Sequence, residues 1–137
     1  MLIAGDWAES RNGSTFKVSN PANGETIAEV PDGGREDTAR AIDAAYEAFP
    51  AWAAATTYDR SAILYRAWQI MIERKAQLAR IMTEEQGKPL RAAMTEVQYA
   101  ADFLLWFAEE AKRVYGETIP SARPDQRFLV MRQPVGV

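Results

Sequence analysis

The sequence contains no cysteine and no histidine. Disulfides, thiolate nucleophiles, zinc sites with the usual ligands and histidine-based triads are therefore excluded within these residues. A metal could be held only by oxygen ligands. Acid–base chemistry would fall to Asp, Glu, Lys or Tyr. There is no excess of basic charge; the formal net charge is -3, which argues against nucleic acid as a partner. No apolar run approaches the roughly 20 residues that cross a bilayer. The opening "MLIAGDW" has neither the basic nor the apolar region of a signal peptide, so a cytoplasmic location is expected. The glycines never fall into G-x-G-x-x-G, so no dinucleotide fingerprint is visible.

What is present is an ordinary globular composition, 47% hydrophobic and 26% charged over 137 residues, enough for one domain. Residues 1–34 read as short strands separated by turns. Asn12-Gly13 and Pro21-Ala22-Asn23-Gly24 are turn signals. "TFKVS" between them alternates, with Phe16 and Val18 on one face. The pattern predicts an antiparallel hairpin pairing residues 15–19 with 25–30, and a shorter strand at 2–4.

Residues 35–115 read as helical. Ala39, Ile42, Tyr46 and Phe49 recur at helical spacing until Pro50, which is expected to stop or kink the helix. Thr56 and Asp59 make a start signal for the next helix. That helix runs toward Gln86 with an expected break near Lys75, and Gly87 and Pro89 end it. Leu90, Met94, Val97, Ala101, Leu104, Ala108, Ala111 and Tyr115 then form a packing seam. Tyr99, Phe103 and Trp106 form a second stripe beside it. Leu64, Met71, Leu78, Val97, Ala101, Leu104 and Ala108 are the expected core. "ETIP" and "RFLVMRQ" read as closing strands within residues 116–137. The fold class is α+β and helix-dominated: an N-terminal β-hairpin, three or four helices, and terminal strands.

No constellation stands out as catalytic. "QGKP" lacks the first Gly and the final hydroxyl of a phosphate loop, holding Met82 and Pro89 there, and reads as a helix end. Glu84, Glu85, Glu109 and Glu110 read as solvated faces or intrahelical partners, with Glu109 spaced to meet Arg113. Glu96 differs, because it neighbours Val97 on the seam and needs a partner if partly buried. The aromatic stripe reads as packing surface, since no polar anchors converge on it.

Four motifs, in order, nevertheless resemble a known family: "NPANGETIAEVP", "AWAAATTYDRSAILYRAWQIMIERKAQLARIMTEEQGKPL", "YAADFLLWFAEEAKRVYGETIP" and "MRQPVGV". Together they look like the N-terminal part of an NAD(P)-dependent aldehyde dehydrogenase, most like the succinate-semialdehyde dehydrogenase branch. The resemblance implies a partial aldehyde dehydrogenase fold, with residues 116–137 belonging to an oligomerisation arm that leads into a cofactor domain. It implies that the catalytic Cys, the general-base Glu and the NAD or NADP site lie downstream, so no catalytic or cofactor-binding residue is expected here. The chain alone should be inactive. In the full enzyme a Cys thiolate would attack the aldehyde, hydride would pass to NAD(P)+, and water would release the acid. With the cover that the family would supply lacking, the wide apolar face of residues 90–115 and the unpaired strand 127–133 predict a dimer or higher oligomer, with Phe128 and Val130 or their strand neighbours at the contact. The resemblance also implies a monovalent-cation site at Val18 or Ser19 and Glu96. The alternative is a stand-alone helical scaffold or interaction module derived from that family.

Overall fold

The computed structural model describes residues 1–137. Two short strands open it, β1 (Leu2–Ile3) and β2 (Asp6–Trp7), paired antiparallel. The sequence suggested only the first. The hairpin of β3 (Thr15–Ser19) and β4 (Thr26–Pro31) follows, with an irregularity in register between Val18 and Ser19. Helices α1 (Arg35–Ala54), α2 (Thr57–Glu73), α3 (Lys75–Gln86) and α4 (Leu90–Glu110) come next, with a short 3-10 turn at Ala111–Arg113. A last antiparallel hairpin joins β5 (Glu117–Pro120) to β6 (Arg127–Val130).

Several bounds differ from the sequence reading; the last helix, expected to reach Tyr115, ends at Glu110 and tightens into the 3-10 turn Ala111–Arg113. Helix α1 passes through Pro50 and ends at Ala54. Pro50 forfeits its own bond to Tyr46, but the Ala-rich stretch after it favours helix. The turn comes at Ala55, whose backbone is extended, and Thr56 then caps α2. Thr56 Oγ1 accepts from the N–H of Asp59 at 3.1 Å and donates to its carboxylate at 2.7 Å, closing the anticipated start signal. Strand β6 stops at Val130 rather than Gln133. Its antiparallel partner begins at Glu117, which pairs with Val130, so four registered pairs exhaust the ladder.

The expected break falls at Arg74, which ends α2 and begins α3. Helices α2 and α3 both pack on α4, while α1 stands apart against β1. At the centre lie Ala79, Ala93 and Val97, with Met71, Leu78, Met82 and Met94 around them. Ala101 and Ala108 extend this line, and Ser61 Oγ donates to the Ala108 carbonyl at 2.5 Å to pin α2 to α4. Of the seven expected core positions, Val97, Ala101 and Ala108 are buried and the other four are half-buried. The helical phase is thus as expected, but the seam's end residues Leu90 and Tyr115 are exposed.

The buried set contains no large side chain. The fully buried positions are small, Met71, Leu78, Met82 and Met94 pack around them half-buried, and the aromatic residues of α4 lie exposed. The accessible surface is 10843 Å2 for 15.3 kDa, about half as much again as the roughly 7,100 Å2 of a compact monomer of that mass.

Candidate functional site: a charged turn cluster and bare apolar faces

Three elements meet around Gly87. This residue caps α3 in the left-handed conformation at φ 72°, with its N–H on the Thr83 carbonyl at 2.9 Å. A side chain added there would touch Pro21 of the β3–β4 turn at 3.0 Å. The turn is itself fixed, because Asn20 Oδ1 accepts from Ala22 N–H and Asn23 Oδ1 from Glu25 N–H. Pro89 caps α4, its carbonyl accepting from Ala92 and Ala93. Lys88 lies between these two fixed neighbours, and its ammonium donates to Glu96 Oε2. The side chains are 29% and 44% exposed.

The sequence-expected cation ligands are distributed accordingly. Val18 is half-buried at the end of β3 and Ser19 is exposed beside it. Glu96 is half-buried, as its place beside the seam suggested, and the partner it needed is Lys88. No group of three or more acidic residues is placed to hold a metal. The donor set fits a free cation poorly, since the one carboxylate already meets an ammonium. Reading "QGKP" as a helix end was correct for Gly87 and Pro89 but silent on Lys88. The clue was the spacing Lys88–Glu96, which crosses the connector and so cannot be read from one helix.

Asp37 is a second residue that sequence reasoning passed over. It is 3% exposed at the start of α1. Its carboxylate accepts from Arg11 N–H at 3.1 and 3.2 Å and from Gly34 N–H at 3.2 Å. The Arg11 bond first, then the Gly34 bond and the Arg40 and Arg11 charges, outweigh burial and hold its pKa below the ordinary carboxylate value. The signal was an acid in the first turn after Gly33-Gly34. Its role is to tie the N-terminal strands to α1.

The other acids stay ordinary. Glu84, Glu85 and Glu109 are exposed. Arg113 turns to Glu110 at 2.6 Å rather than to Glu109. The 3-10 turn at Ala111–Arg113 explains this, because it aligns residues three apart instead of four.

Two apolar faces lie open. On the outside of α4, Tyr99 meets Phe103 edge-on at 4.8 Å and Phe103 stacks with Phe107 at 6.3 Å. With Trp106 and Asp102 they line an open groove of about 270 Å3. All residues of β5 and β6 are exposed, Phe128 and Val130 among them, and of their large apolar side chains Leu129 is the most exposed at 74%. Gly116 roots this hairpin, and a side chain there would collide with the Val130 carbonyl.

Comparison with known proteins fits this picture. The model of the aldehyde dehydrogenase family matches residues 7–137. A glutarate-semialdehyde dehydrogenase of Pseudomonas putida is 56% identical over 98% of this chain, and an NADP(+) succinate-semialdehyde dehydrogenase of Escherichia coli is 50% identical over 99%. Each is matched over 28% of its own length, so the chain spans little more than a quarter of these relatives. A crystal structure of an NADP-dependent E. coli enzyme superposes with TM-score 0.94 at 50% identity, covering 97% of this chain and 28% of that one. A betaine aldehyde dehydrogenase from Staphylococcus aureus, solved with NAD+, gives 0.92 at 33% identity, covering 98% and 28%.

Proposed function

The chain belongs to the aldehyde dehydrogenase family, and from that premise we propose that it is the structural and oligomer-forming portion of a longer NAD(P)+-dependent dehydrogenase. That enzyme oxidises a semialdehyde bearing a carboxylate, succinate semialdehyde first and glutarate semialdehyde as the near variant. The substrate reading rests on the names of the relatives. It is supported by "MTEEQGKPL" and "WFAEEAKRVYGETIP", the motifs that resemble the succinate-semialdehyde branch. The reaction takes aldehyde, water and NAD(P)+ to acid, NAD(P)H and a proton. The chain's own residues provide neither the nucleophile nor the cofactor site.

The observation that carries the reading is the surface excess. Roughly 3,700 Å2 more surface is exposed than a compact monomer of this mass would show, and it carries Tyr99, Trp106, Leu129 and Met131. Obligate interfaces commonly bury about 2,000–5,000 Å2. The outer face of α4 would receive the cofactor domain. The β5–β6 hairpin would meet another copy of the protein, with Phe128 and Val130 at the contact.

Reading the coding DNA past codon 137 tests this directly. An open frame carrying a Cys-containing cofactor domain is expected, and the longer product should form NAD(P)H from succinate semialdehyde. The 137-residue chain should form none with either cofactor. A native stop codon, or turnover by the purified short chain, would overturn the reading in favour of a self-contained module.

A further inference from the structure

We propose that the Lys88 ammonium is the resident cation of Glu96, so that this turn cluster needs no free sodium or potassium ion. The inference stands on the geometry of this chain and is independent of the substrate reading.

Glu96 carries one negative charge beside the buried Val97, and one positive charge balances it. The Lys88 Nζ already donates to Glu96 Oε2. A free ion and the ammonium would have to share one carboxylate, whose single charge the ammonium already balances. The tethered group has the advantage, because a short tether gives it a local concentration of order millimolar or higher with no translational entropy to lose. The tether is also unusually well held. Gly87 on one side is a left-handed cap pressed on Pro21, and Pro89 on the other opens α4. The main chain of Lys88 is thereby anchored at both ends, and only its four-carbon stem must be ordered to reach Glu96. The β3–β4 turn then needs no ion to hold it at this corner. Pro21 against Gly87 makes that contact by packing.

The test is thermal melting of the chain at one ionic strength in sodium, potassium or choline chloride. Wild type should melt at the same temperature in all three. Lys88→Met should fall by about 2–5 °C in choline, as expected for a half-exposed ion pair, and recover in sodium or potassium. Lys88→Arg should behave as wild type. Lys88→Met combined with Glu96→Gln should show no preference among the salts, since the carboxylate that attracts the ion is gone. Sodium- or potassium-specific stabilisation of wild type would overturn the proposal, and that arm requires no variant to fold. Failure of Lys88→Met to lose stability, or to regain it in either metal salt, would overturn it too.

Discussion

Helix α4 has two faces built on opposite rules. Its inner face presents Ala93, Val97, Ala101 and Ala108, all buried under α2 and α3. Its outer face presents Tyr99, Phe103, Trp106 and Phe107, all exposed. A helix that serves only its own small domain would normally point its largest apolar residues inward, where burial returns most free energy. Here small residues fill the buried positions, with methionines and Leu78 around them, and the large aromatic side chains lie on the other side. The difference teaches that internal packing and external docking are separate designs on one element. The inner face sets where α4 lies, and the outer face offers area that nothing in these residues covers.

Substitutions can break that comparison, beginning with the most damaging. Val97→Asp should place an unpaired carboxylate among Ala79, Ala93 and Met94, costing about 3–5 kcal/mol and unfolding the helical layer. Loss of the far-ultraviolet helical signal at room temperature is the expected result. A cooperative melt near that of wild type would mean that the inner face is not closed. The second largest effect should come from Gly87→Ala. The new methyl meets Pro21 and the residue must keep φ near 72°, so a loss of about 1–2 kcal/mol is expected by denaturant titration.

The outer face should answer differently. Phe103→Ser together with Trp106→Ser should shift stability by less than about 1 kcal/mol while lowering self-association, measured by light scattering across a concentration series. An equally large loss of stability from inner and outer substitutions would erase the distinction. The smallest effect at neutral pH should be that of Asp37→Asn, which keeps one oxygen for the Arg11 and Gly34 amides. The folded-state pKa of Asp37 is depressed. Its charge therefore contributes stability above the ordinary carboxylate range, and that contribution is lost as pH falls through the lowered value. Melting curves of wild type and variant should separate at neutral pH and converge in acid. A gap independent of pH would show that the Asp37 charge is immaterial.

Much of this could be read from the residues alone. Periodicity found the helical segments, because amphipathic spacing survives whatever packs against it, and the length of the middle one pointed to the break that makes them four. Thr56 and Gly87 marked helix ends correctly, since caps are local chemistry. The pairing of β3 with β4 followed from alternation and a turn. Local signals failed where two distant segments meet. The contacts of Asp37 with Arg11, of Lys88 with Glu96 across a connector, and of Pro21 with Gly87 have no periodic signature. Whether α1 would stop or kink at Pro50 was left open by the sequence, and the helix runs on to Ala54 because the alanines beyond the proline favour it. The choice of Ala79 and Ala93 over Leu90 for the centre depends on inter-helix distance, which a hydrophobic pattern does not encode.

Gly116 has a mechanical consequence. It lets the Val130 carbonyl pass where any side chain would stand, and it lies at the root of a hairpin whose strands are four residues long. Such a strand extends about 13 Å. The hairpin is a lever pivoting on a missing methyl group. A swing of about 20° at its base moves its tip by roughly 4–5 Å over that length, close to one strand spacing. An alanine at 116 would leave the helices as they are and aim the lever elsewhere, so that whatever the tip engages would be met one strand out of line.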